Sequence, residues 1–302
     1  MICRIPRSVT VFSFIVIFSV SVSAGTTSMS ERIQSALKML GQSSTGRVLL
    51  ETSMKRWKLK NVAQLEKVIH WSELSKTDAV LVRYFEPDSG RERFDREVEV
   101  HIKTHQSFDD VVMDLAHELT HATAQAPWDP YDPELSAGKY IWIGLEAEGG
   151  EVDALMVECQ VALELPRNRS ERRERCNRYL SALGPGQDVH LDRKRVIEDF
   201  YRVGEWKDDL SHQLGDEAKA FPNLSHDKAV LYSSTGKTPY PVALYREFQA
   251  LTEAACKNTR KRLKTLAMHE KESLHPLPLA EPLDQHLKKT TRFLEQRCDK
   301  VD

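Results

Sequence analysis

Asp114-Leu115-Ala116-His117-Glu118-Leu119-Thr120-His121-Ala122-Thr123 contains the pattern H-E-x-x-H. On a helix, residues four apart lie about 40° apart around the axis, at roughly 100° per residue. His117 and His121 therefore project from one face, one turn apart, and can hold one Zn²⁺ through bonds of about 2.0–2.1 Å. Glu118 lies about 100° round from His117. It stands beside such an ion rather than on it, where a carboxylate can take a proton from a bound water and later return it to a leaving group. Five residues thus offer two ligands and a general base.

A catalytic zinc site needs a third protein ligand and an open fourth position. The acidic stretch Gly144 to Leu155 offers one. Leu155, Cys159 and Ala162 form an apolar stripe at i, i+4, i+7, and extending it back reaches Glu151 and Glu148. Helical phase favours Glu148, which falls near the middle of this face. Glu151 lies nearer the margin, beside Glu158, which reads as solvated. Glu146 and Asp153 are rotated off the stripe, as outward or supporting acids. Gly149 and Gly150 each cost a helix about 1 kcal/mol relative to Ala. Close approach of another backbone, such as that of the motif helix, would explain them.

His117-Glu118-x-x-His121 with a glutamate on a later helix resembles the gluzincin branch of zinc metallopeptidases. In that branch the third ligand often sits in E-x-x-A or E-x-x-x-D. Glu151-Val152-Asp153-Ala154 fits the first form, so the resemblance implies His117, His121 and Glu151 as metal ligands, with Glu148 the fallback, and Glu118 as catalytic base. It also implies a sheet edge that binds extended peptide by strand addition. The metzincin pattern fails, because positions 124 and 127 are Ala and Pro. The resemblance covers about residues 107–165. Asp114 and Thr123 depart from the usually apolar or uncharged flanks of such motifs.

The motif helix is expected over 107–124, with Ser107 as its N-terminal start and an apolar stripe of Val112, Leu115, Leu119 and Ala122. Ala79 to Phe85, the turn Pro87-Asp88-Ser89-Gly90 and the alternating Glu97 to Ile102 predict a β-hairpin ahead of it. Helical periodicity is expected over 30–41, 45–57, 61–71, 139–165, 169–183, 190–215, 241–268 and 281–298. The fold class is α+β, mostly helical: a zincin-like core of about 75–165 with a small sheet, and a helical remainder over 166–302. An oxyanion-stabilising donor is expected near the metal, with His190, His212, His226, Tyr201 and Tyr240 as unranked candidates. The acidic loop Asp129 to Glu134 reads as a rim or lid.

The chain has 302 residues, 43 Lys+Arg against 45 Asp+Glu and 40% hydrophobic residues. That balance excludes a disordered chain and a dedicated nucleic-acid binder. Arg4 and Arg7, the apolar run Val11 to Val22 and the small residues of Val22-Ser23-Ala24 predict a signal peptide over 1–24; the alternative is an uncleaved anchor. The apolar run is shorter than the roughly 20 residues a membrane span needs. The remaining 25–302 is expected to be one metallopeptidase-like domain, periplasmic or secreted, off the membrane after signal cleavage. Cys159, Cys176, Cys256 and Cys298 then favour two disulfides with three possible pairings. Cys159–Cys176 is the local choice, leaving Cys256–Cys298.

The function expected from these residues is hydrolysis of a peptide or protein substrate by zinc-activated water. The alternative is a secreted helical binding or structural protein whose zinc site is a relic or only stabilises the fold. The fourth coordination position discriminates: open for an enzyme, filled by protein in a structural site.

Overall fold

A computed structural model describes residues 28–86, 91–124, 128–165, 171–182, 189–234, 237–272 and 281–298. The expected signal peptide, the hairpin turn at 87–90 and the irregular stretch 183–188 lie outside them. Two helices open the described chain, α1 (Met29–Leu40) and α2 (Ser44–Trp57). Ser28 and Ser43 cap them by accepting from main-chain N–H groups of the first turn, which satisfies donors that lack an intrahelical partner.

The sheet follows: β1 (Ile69–Ser72), β2 (Lys76–Glu86) and β3 (Arg91–Lys103), in the order β1-β3-β2. β2 and β3 form the expected hairpin, longer at both ends than its apolar segments. β1 corrects the expectation of a helix over 61–71. Val62–Lys67 makes only a short 3-10 turn, and Ile69–Ser72 pairs in parallel with Val100–Lys103. Ile69 is buried, and a short strand has too few residues for its period to be read. On β3, Val98, Val100 and Ile102 are buried while Glu97, Glu99 and His101 are not. This is the alternation of a sheet with one face on a core.

That core face packs against α3 (Phe108–Thr123), the motif helix, capped by Ser107 as expected. The stripe Val112, Leu115, Leu119 and Ala122 is fully buried, and so are Val111, Met113 and Ala116. The sheet, α1, α2 and α5 (Glu151–Glu164) all pack on this one helix. A helix apolar on most of its surface belongs in a core, so α3 is fixed from several sides.

The expected single helix over 139–165 is two: α4 (Ala137–Leu145) and α5, separated by a turn at 146–150. The break falls at Gly149, whose φ is 72°, a backbone conformation that favours glycine. Among its described residues, the expected helix over 169–183 contains only α6 (Glu171–Cys176) and a 3-10 turn before β4 (Leu180–Ala182), which pairs with β5 (Val189–Leu191). The expected helix over 190–215 is likewise divided into α7 (Arg193–Phe200) and α8 (Lys207–Leu214). Gly204, at φ 60°, lies in the break between them. The long α9 (Tyr240–Glu272) packs on α4, and α10 (Glu281–Phe293) runs into a π-helical turn, Leu294–Cys298. The chain is therefore α+β and mostly helical.

Two disulfides join Cys159 to Cys176 and Cys256 to Cys298. The first ties α5 to α6; the second ties α9 to the π-helical turn. The acidic loop is bound to this C-terminal unit. Arg297 donates to the Asp132 carbonyl at 3.0 Å, Arg292 pairs with Glu134, and Lys289 lies 3.6 Å from Asp129. No described helix is long and apolar enough to cross a membrane.

Candidate metal centre

His117 and His121 leave the same face of α3 and meet the first residue of α5. His117 Nε2 is 3.3 Å from Glu151 Oε2, and His121 Nε2 is 3.7 Å from Glu151 Oε1. The three side chains offer donor atoms that all lie within 4.8 Å of one another. A tetrahedral ion with bonds of about 2.0–2.1 Å separates its ligands by about 3.3–3.4 Å. The His117–Glu151 spacing of 3.3 Å matches that frame, and the His121–Glu151 spacing of 3.7 Å is wider. Among the described residues the group has these three members.

The orientation of both rings follows from their far nitrogens. His121 Nδ1 lies 2.7 Å from the Gly149 carbonyl oxygen. A carbonyl only accepts, so Nδ1 carries a proton and Nε2 is the nitrogen turned toward Glu151. His117 Nδ1 lies 3.0 Å from Glu158 Oε2, and an ionised carboxylate imposes the same tautomer. Partners of this kind fix a ligand ring and make it a stronger donor. Glu151 Oε2 is buried and makes no close hydrogen bond, facing His117 Nε2 at 3.3 Å. A buried carboxylate oxygen is costly in that state, and a cation between it and the two Nε2 atoms would remove the cost.

The charges lean the same way. Burial opposes ionisation of Glu151, but the His121 and His117 imidazoles beside it hold its carboxyl far below the usual carboxylate range. Burial likewise opposes protonation of His117, yet hydrogen bonds and charges from Glu151 and Glu158 hold it well above the ordinary histidine range. His121 is raised for similar reasons, with Glu151 its main partner. The site attracts positive charge. Its three side chains are half-buried, 16–19% exposed.

Glu118 stands beside this group without joining it. Burial raises its pKa, against the lowering influence of the two histidines. Its Oε2 accepts from the Thr77 hydroxyl at 2.9 Å. Thr77 is opposite Val100 in the hairpin register, so it faces α3 as Val100 does.

Glu148, the fallback ligand, is exposed in the turn between α4 and α5 and lies outside the group. Its helical phase assumed an unbroken helix, and the break at Gly149 voids it. Glu158, expected to be solvated, is instead buried against His117 and Arg172. Asp114, anomalous as a flank of the motif, is buried in an ion pair with Arg172 and accepts from Gln106 at 2.8 Å. Glu146 and Asp153 are supporting acids, as expected. Tyr201 donates to Glu146 at 2.6 Å, and Asp153 accepts the Gly149 N–H at 3.0 Å while pairing with Arg193. Gly149 is small for the expected reason. A Cβ there would lie 2.0 Å from the Ala124 Cβ and 3.4 Å from the Thr120 carbonyl, at the end of the motif helix.

Of the five candidate donors, Tyr240 lies at this site. Its phenol stands beside Glu151, and burial together with Glu151 and Glu118 holds its pKa well above the ordinary tyrosine value. It therefore stays a neutral O–H donor. Tyr201 reaches only Glu146, His190 lies on β5, His212 on α8, and His226 pairs with Asp208. Nothing in the sequence around Tyr240 marks it; it arrives through the packing of α9. Comparisons with protein families, characterised proteins and solved structures found no match to this chain.

Proposed function

We propose that this chain is an exported metal-dependent peptidase of the gluzincin type, with zinc as its metal. The observation that carries the reading is the buried Glu151 carboxylate set against two imidazoles whose Nε2 atoms are turned toward it, at 3.3 and 3.7 Å. His117 Nε2, His121 Nε2 and a Glu151 oxygen would hold the ion. When bound, it supplies Lewis acidity at a substrate carbonyl and lowers the pKa of a water.

The chain's own groups divide the remaining work. Glu118 takes a proton from the attacking water at its carboxylate and delivers it to the departing amine nitrogen. A carboxyl raised by burial suits that double role, since a general base works best with its pKa near the working pH. Tyr240 donates its O–H to the carbonyl oxygen as negative charge develops there. β2 is an edge of the sheet among the described residues and touches Glu118 through Thr77. An extended peptide added along that edge would be carried toward the carboxylate. The substrate is thus a peptide or protein in extended conformation. Two disulfides support an oxidising compartment, where such bonds persist. A signal peptide cleaved after Ala24 would deliver it there, to a periplasm or the extracellular space.

Metal analysis of the mature protein and a peptide-library cleavage screen test this, with wild type and Glu118→Gln compared. Stoichiometric zinc in both and cleavage by wild type alone is the expected result. No zinc uptake, or full activity in Glu118→Gln where His117→Ala has none, overturns it. Zinc that raises the melting temperature with no peptide cut would instead make the protein a secreted helical protein with a structural site.

A further inference from the structure

His117 is oriented by Glu158, and Glu158 is in turn held by a residue of another helix. The two oxygens of the Glu158 carboxylate serve different partners. Oε2 takes the His117 Nδ1–H at 3.0 Å, and Oε1 lies 3.5 Å from an Arg172 guanidinium nitrogen. The same nitrogen pairs with Asp114, which stands three residues before His117 on α3. Arg172 thus lies between two carboxylates whose side chains are only 3% and 6% exposed. Without a cation between them, two buried carboxylates repel, and one would move or protonate.

Arg172 belongs to α6, a helix of six residues. So short a helix is not stable alone. Its anchor is Cys176, four residues after Arg172 and therefore on the same face. Cys176 is bonded to Cys159, the residue next to Glu158. The covalent link and the ion pair join the same two helices at neighbouring positions.

We propose that Arg172 is a positioning residue for His117, and that the Cys159–Cys176 disulfide holds it there, so that metal affinity depends on this bond being closed. This rests on the reading of His117, His121 and Glu151 as metal ligands. In a chain with these cysteines unbonded, α6 separates from α5 and the guanidinium leaves Glu158. His117 then loses the fixed carboxylate that sets its tautomer.

The test is zinc titrated into metal-free protein in competition with a chromogenic chelator, with circular dichroism of each metal-free variant as the check on folding. Loss of a group that orients a ligand costs about 10–100-fold in metal affinity. Arg172→Gln and Cys159→Ser/Cys176→Ser are each expected to weaken zinc binding by about tenfold, at the low end of that range. Combining them should weaken it no further than either alone, because both act through one contact. Arg172→Lys should recover most of the affinity. Cys256→Ser/Cys298→Ser should lower the melting temperature and leave the zinc Kd unchanged. An unchanged Kd in folded Arg172→Gln overturns the proposal even if the disulfide variant fails to fold, as do effects of the two variants that multiply in full. Wild type binding zinc no more tightly than His117→Ala would instead overturn the metal site itself, and this proposal with it.

Discussion

The Thr77 hydroxyl lies 2.9 Å from Glu118 Oε2 and 2.8 Å from the Glu118 main-chain oxygen. One side chain of the sheet edge thereby touches both the carboxylate and the backbone of the residue placed as general base. The contact limits how Glu118 can rotate. Thr77→Val keeps the branched shape and removes the donor. A hydrogen bond to a charged group is worth about 1.5–3 kcal/mol. Turnover should fall about 10–100-fold, with zinc content close to wild type and a melting temperature lower by several degrees. Peptide-cleavage kinetics beside metal analysis check this, and unchanged kcat would mean that Thr77 only fills space.

Tyr240 makes a sharper case, because its contact with Glu151 admits either a structural or a chemical role. Tyr240→Phe keeps the ring and deletes the O–H. Removing one donor to a developing oxyanion costs about 10²–10³ in kcat. Loss of that size with an unchanged zinc Kd is the expected outcome. A weakened zinc Kd with unimpaired turnover of the loaded enzyme would make the phenol a support for Glu151.

Gly149 links fold and site, since its carbonyl fixes the His121 ring. Gly149→Ala forces a Cβ onto Ala124 and strains a backbone at φ 72°. Strain of this kind costs on the order of 1–3 kcal/mol. The variant should melt lower and bind zinc more weakly, because the carbonyl shifts as the turn relaxes. Adding Ala124→Gly removes the clash but not the strain, so melting temperature and zinc affinity should recover only in part. Full recovery would show that the backbone at 149 tolerates a side chain.

The candidate metal group was largely legible because most of it is local. His117, Glu118 and His121 share one helix, and their spacing fixes their relative directions whatever surrounds them. Val98, Val100 and Ile102 announce a half-buried strand by alternation, and Ser107 announces the start of α3. Both cysteine pairings follow from helices adjacent in the chain. Glu148 was misread because its phase was counted along a helix that breaks at Gly149, and the sequence records the glycine without its left-handed conformation. Glu158 lies on the unbroken α5, and its burial comes from His117 and Arg172 on other helices. β1 is too short to show a period. Tyr240 and Arg172 reach the site only through tertiary packing, 89 and 21 positions from Glu151 in the numbering. No local signal ranks Tyr240 above the other four candidate donors, and none points to Arg172.

A last prediction concerns a carboxylate away from the metal. Glu164, the final residue of α5, accepts from the Thr45 N–H at 2.9 Å and the Thr45 hydroxyl at 2.7 Å. It therefore sits at the N-terminus of α2, where negative charge is favourable. Burial pushes its pKa up, but these bonds, with others from Gln160 and Ser44, bring it down from the ordinary 4.5 to about 2. The native state thus holds fewer protons than the unfolded chain between those two values. By linkage, the stabilisation is complete above about pH 4.5 and is lost as pH falls toward about 2. Allowing for solvent screening, it amounts to about 1–2 kcal/mol at neutral pH. Glu164→Gln should accordingly be less stable than wild type at pH 7 by that amount, and the gap should close between pH 4.5 and 2. Urea unfolding of the two metal-free proteins across this range measures it, since any titration of the histidine site is common to both. A gap that stays constant down to pH 2 would mean that the Glu164 carboxylate acts by shape alone.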